Sequence, residues 1–181
     1  MAITFQGMVS TFRIVGTGAT PHNLFTIENQ NGSGVSVYIR RLVIMMDKTG
    51  ALATPSPLYR TSRPILMPTG GTALNKGNMD TALTSSAQVV CRSATASDGG
   101  GASAITATFG DVLWETYGMR VHTQAGQVLG LEALLIPTET LTYPVKLLNN
   151  QALLVQVLAP YAAANPSTDH FVVNCYWTEE T

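Results

Sequence analysis

Apolar and polar side chains alternate along most of this chain, and residues 170–178 show it best. Phe171, Val173, Cys175 and Trp177 fall on one face, while His170, Val172, Asn174, Tyr176 and Thr178 fall on the other. A period of two is that of a strand with one side on a core. Residues 152–159 repeat it, with Leu153, Val155 and Val157 on one face. The loop between these runs is bounded by Pro160 and Pro166, which predicts that the two strands pair as an antiparallel hairpin with a long connection.

Nearer the N-terminus, Phe25 and Ile27 alternate with Leu24, Thr26 and Glu28, and residues 29–34 supply a turn whose Gly32 and Gly34 can take positive φ. A return strand over 35–46 makes a second expected hairpin. Its alternation changes phase: Val35, Val37 and Ile39 share one face, but Leu42, Ile44 and Met46 share the other. A bulge at Arg40-Arg41 produces such a change. So does a strand that passes from one packing partner to another, which suits a two-sheet sandwich better.

Weaker strand patterns occupy 9–15, 87–92, 104–109, 112–119 and 145–148. The best helical stretch, 130–136, is stopped by Pro137 and is too short for its period to decide. Many short strands separated by Gly and Pro turns predict an all-β chain, an antiparallel β-sandwich or a barrel. Residues 16–21 divide the chain into an N-terminal arm or edge strand (1–20) and a β-sandwich domain (21–181). Deleting residues 1–16 is expected to leave a folded chain that binds its partner less well.

Composition narrows the function. The chain has 181 residues, 45% hydrophobic and 12% charged, with a formal net charge of −1. That is about half the ~25% charged fraction usual for soluble domains, which argues against disorder and against a highly solvated monomer surface. Ten Lys and Arg are scattered, with no run longer than Arg40-Arg41, which argues against an electrostatic nucleic-acid binder. No stretch reaches the roughly 20 apolar residues that span a bilayer, so no membrane partner is expected. The first residues lack the basic-then-apolar order of a signal peptide, and two cysteines fit neither a disulfide scaffold nor a zinc site. Synthesis in a reducing cytoplasm is the expectation.

A search for reactive groups yields little. His22, His122 and His170 lie far apart, with no ligand spacing between them; they read as ordinary surface or interface histidines. Residues 70–76 loosely follow a phosphate-binding loop but fail its spacing and lack a Ser or Thr after Lys76, so they read as an exposed loop. Gly-x-Ser-x-Gly is absent. Cys91 and Cys175 sit on apolar strand faces and read as buried, inert thiols. No carboxylate pair flanked by aromatic platforms can be named for a glycosidase, and Glu179-Glu180 reads as a solvated tail. Asn31-Gly32-Ser33 matches a glycosylation sequon but reads as a turn. No catalytic residue, cofactor, metal or small-molecule substrate is expected.

Two features point to association. A surface so poor in charge loses little hydration when it packs against a partner. Long, sparsely charged connections at 45–61, 65–86 and 93–104 are seldom kept unless they contact something. Arg60 and Arg63, in the polar island Arg60-Thr61-Ser62-Arg63-Pro64, are candidate anchors for a neighbouring chain, or else solvated arginines of an exposed loop. Phe5, Met8 and Phe12 of the arm complete the candidate interface.

Leu24-Phe25-Thr26-Ile27-Glu28-Asn29, the Gly32-Ser33-Gly34 turn, residues 35–47, Arg60-Thr61-Ser62, residues 147–155 and the closing Val173-Asn174-Cys175-Tyr176-Trp177-Thr178-Glu179-Glu180 together resemble the jelly-roll capsid decoration (cement) proteins of tailed bacteriophages. The resemblance implies a β-sandwich homotrimer on the outside of an icosahedral head, bound to the major capsid protein, non-enzymatic and made in the host cytoplasm. Two other readings stay open. One is a tail, neck or fibre-head structural protein with a receptor- or sugar-binding role; the other is a carbohydrate-active enzyme.

Overall fold

The computed structural model describes residues 2–11, 14–15, 22–48, 58–83, 85–94, 104–117, 128–136, 144–158 and 170–181. Along the chain these form β1 (Ile3–Ser10), β2 (Ile14–Val15), β3 (His22–Asn29), β4 (Ser36–Lys48) and β5 (Leu58–Arg63). Short strands follow, β6 (Thr69–Gly70), β7 (Thr72–Ala73) and β8 (Gly77–Asn78), then β9 (Val89–Ser93) and β10 (Ile105–Thr106). The last five are β11 (Asp111–Tyr117), β12 (Val128–Ile136), β13 (Val145–Leu147), β14 (Gln151–Leu158) and β15 (His170–Glu180).

The larger sheet runs β12-β4-β15-β1-β8, with β13 also on β4 and β2 on β15. The smaller runs β11-β5-β14-β3-β9-β7, and β10 and β6 form a separate ribbon. The paired strands are antiparallel throughout. One core lies between the two sheets: Phe5, Val37, Ile39, Leu42, Ile44, Phe171, Val173 and Trp177 of the larger meet Leu24, Phe25, Ile27, Tyr59, Leu153 and Val155 of the smaller. The chain is thus an all-β, antiparallel sandwich, and its alternating residues place their apolar members inward.

Eight long strands carry the topology: β1, β3, β4, β5, β11, β12, β14 and β15. Taken in that order, the first pairs with the eighth, the second with the seventh, the third with the sixth and the fourth with the fifth. This nesting corrects both expected hairpins. β3 and β4 do not pair; the turn at 29–34 carries the chain from the smaller sheet to the larger. β14 and β15 likewise lie in opposite sheets, joined across the sandwich. Connections of this length can cross between layers, whereas hairpins favour two to five residues.

Other expectations change as well. The phase shift in β4 is a bulge: Tyr176 faces Arg41 while Trp177 faces Ile39, so Arg40 is the extra residue. It keeps Val37, Ile39, Leu42 and Ile44 in the same core, and the change of neighbour from β13 to β12 on the far edge is separate. The helical candidate at 130–136 is strand, within β12. Part of the expected loop at 45–61, together with the Arg60–Arg63 island, is β5, an interior strand between β11 and β14.

Residues 3–10 of the expected arm form β1, between β15 and β8, with Phe5 and Val9 buried. Removing them takes a strand and its core side chains away, so the expected clean deletion does not follow. Residues 16–21, the expected boundary, lie outside the described residues. The Glu179-Glu180 tail is the end of β15: Glu179 is buried and Glu180 pairs with Arg40 at 2.7 Å. His170, expected at a surface or interface, is buried within the chain.

Candidate interaction surface

Among the described residues, two cysteines and two buried carboxylates are tied into structure. Cys91 and Cys175 belong to the core, one from each sheet. Burial pushes both thiols above their ordinary range; for Cys91 the nearby Lys76 opposes this, and for Cys175 the neighbouring Cys91 adds to it. Glu28 is buried on the outer side of the smaller sheet, where it accepts hydrogen bonds from Arg92 Nε at 3.1 Å, Thr26 Oγ1 at 2.8 Å and Gln30 Nε2 at 2.8 Å. Glu179 accepts from the Gln88 backbone N–H at 2.9 Å and from Trp177 Nε1 at 3.1 Å. Both carboxylates are satisfied by donors within the chain, as buried carboxylates must be. Among the described residues, no group of three or more His, Cys, Asp and Glu is placed to hold a metal ion.

Residues 70–76 do not form a phosphate cradle. Gly70 and Gly71 have φ of 73° and 68° and bring the backbone onto β10, where Gly71 N–H donates to Ala104 O at 3.0 Å. Lys76 Nζ donates to Val89 O at 2.8 Å. The ribbon of β6 and β10 is fastened to the smaller sheet: Asn23 Nδ2 donates to Ile105 O at 2.8 Å and Arg92 Nη1 to Gly70 O at 3.4 Å. Thr26, Glu28, Ser62, Leu154 and Gln156, on the side of that sheet away from the core, are buried as well.

The larger sheet differs. On its outer face, Met8 of β1, Arg41 and Val43 of β4, Asn174 and Tyr176 of β15, and Met79 just after β8 line an open groove of about 390 Å³. Met8 is 53% exposed and Met79 55%. The two methionines line one groove because β8 pairs with β1 at Met8↔Gly77 and Met79 N–H donates to Gln6 O at 2.9 Å. An unbranched thioether side chain adapts to irregular partner surfaces.

A second exposed apolar group lies at β11, the end strand of the smaller sheet: Val112 and Trp114, with Phe109 just before it. Arg60 stacks its guanidinium 4.6 Å over the Phe109 ring and pairs with Glu115. Arg63 donates from Nη2 to Lys146 O at 3.2 Å and, with Asp111 and Gln151, lines a polar cleft of about 400 Å³.

Of the five expected interface residues, Met8 lies in the methionine groove. Phe5 faces the core and stacks on Trp177 with ring centres 6.1 Å apart. Arg60 and Arg63 share strand β5 with partners inside the chain, and Phe12 lies outside the described residues. The residues that sequence reasoning missed are Met79, Tyr176 and Trp114. Met79 carries a signal, being a large apolar side chain between Asn78 and Asp80; Tyr176 falls on the polar face of its strand, where the sequence gives it no signal. No protein-family model, curated protein or solved structure matches this chain, so the surfaces themselves carry the reading of function.

Proposed function

We propose that the chain is a structural virion protein: a capsid decoration protein that trimerises and binds the outside of an icosahedral phage head to reinforce it. The observation that carries this reading is the methionine groove on the outer face of the larger sheet. Half-exposed apolar side chains gathered on one face mark a contact surface, and interface centres are poor in charge and enriched in Met and aromatic residues. The nested strand pairing is in keeping with the proposed jelly roll, an architecture used in viral shells. Fold alone does not define a role; the groove supplies the site. In this reading the partner is the major capsid protein, and a trimer engages the shell at three equivalent points, so modest contacts add up through effective concentration.

Co-sedimentation with expanded, empty heads tests it, comparing the wild-type chain with a double variant, Met8→Glu with Met79→Glu. Both side chains are exposed, so the variant should keep its fold and its near-ultraviolet circular dichroism. It should bind heads at least roughly tenfold more weakly, because carboxylates would be carried into the contact. Equal binding by the folded variant, or no binding by the wild type, overturns the proposal.

A further inference from the structure

Asn31-Gly32 is the one Asn-Gly step in the sequence. It sits in the turn between β3 and β4, where Ser33 N–H donates to Gln30 O at 3.2 Å and Gly32 has φ of 80°. Positive φ at the third position is the mark of a type II turn. A second turn faces it, closed by Gln151 N–H to Leu148 O at 3.1 Å, with Asn150 at φ 61°. Asn149 joins the two: its Oδ1 accepts from Gly32 N–H at 2.8 Å, and its Nδ2 donates to Asn31 Oδ1 at 3.0 Å.

We infer that Asn31 is a site of spontaneous deamidation and that Asn149 holds the reaction back. In that reaction the Gly32 backbone nitrogen gives its proton to solvent base and attacks Asn31 Cγ. An N–C bond forms, the Cγ–Nδ2 bond breaks and, with a proton from solvent, ammonia leaves. Water then adds to either carbonyl of the cyclic imide, giving Asp or isoaspartate at position 31. Glycine favours this step because it puts no side chain beside the attacking nitrogen. The two bonds from Asn149 act on its two participants: one engages the N–H that must be lost, and the other fixes the side chain that must swing toward it.

The products differ in consequence. An Asp at 31 still accepts from Asn149 Nδ2. Isoaspartate inserts a methylene into the backbone where the chain crosses between sheets, and the turn cannot close as before. Neither outcome depends on what the protein binds.

The test is timed incubation of the full-length chain in mildly alkaline buffer, with the acid and isoaspartyl forms at 31 resolved by peptide mass spectrometry. The native wild type should deamidate well below the rate of the same chain unfolded in urea. Asn149→Ala should close most of that gap, accelerating the reaction roughly tenfold for the loss of two hydrogen bonds. Asn149→Gln, which keeps the amide but displaces it, should also accelerate it, and circular dichroism checks that each variant is folded. A native wild type as fast as the unfolded chain, or a folded variant no faster than the wild type, overturns the inference.

Discussion

Gly7 on β1 and Trp177 on β15 are opposite one another in the register, and the indole lies where a Cβ on Gly7 would be. The bare backbone lets the ring reach Phe5 and send its N–H to Glu179. Gly7→Ala should therefore destabilise the chain by about 1–3 kcal/mol, the usual range for overpacking, read as a lower urea midpoint. The thiols give a second expectation at this scale. Burial disfavours the thiolate, so Cys91 and Cys175 should resist an aromatic disulfide reagent in native protein at mildly alkaline pH and both react in denaturant. The sign of the linked effect follows: above the ordinary thiol value of 9.0 the unfolded chain releases protons that the folded chain keeps, so stability falls as pH rises past it. That both cysteines are buried was legible from their apolar faces. The burial of Glu179 was not, because its donors come from Gln88 and from Trp177, and no local pattern announces a carboxylate docked beneath a distant segment.

At the scale of the element, alternation identified several strands well, while their partners went astray for a single cause. Nested pairing sends β3 and β4, and likewise β14 and β15, to opposite sheets, so neighbours in sequence lie in different layers instead of sharing hydrogen bonds. Periodicity reports which face of a strand is buried and is silent on which edge is paired. β5 escaped detection because Arg60-Thr61-Ser62-Arg63 has no apolar alternation; Thr61 and Ser62 are nonetheless fully buried between β11 and β14. The bulge in β4 makes a sharp prediction. Arg40→Ala removes a pair with Glu180 and a bond to Thr178 and should cost no more than about 1 kcal/mol for a part-exposed pair. Deleting Arg40 removes the extra residue and leaves Val37, Ile39, Leu42 and Ile44 on one face of an unbroken strand, so the variant should stay soluble and folded, as read by expression and circular dichroism. A deletion variant that fails to fold would show that the sandwich requires the bend of the bulge itself.

Over the whole molecule, the two sides away from the core differ. The smaller sheet carries a ribbon and buried polar residues on that side, whereas the larger leaves a methionine groove open. Few charges offset this exposure, since only 12% of residues are charged. The proposed reading is that copies of this chain and a shell lattice supply the missing contacts. Low charge is the feature of the sequence that points to the proposed association. The proposed place of contact was not legible there, because Met8 and Met79 line one groove only through the pairing of β8 with β1. Sedimentation equilibrium of the full chain over a range of concentrations tests the central claim most directly. The account predicts a particle three times the chain mass of 19.2 kDa, whereas a single 19.2 kDa species at every concentration would contradict it.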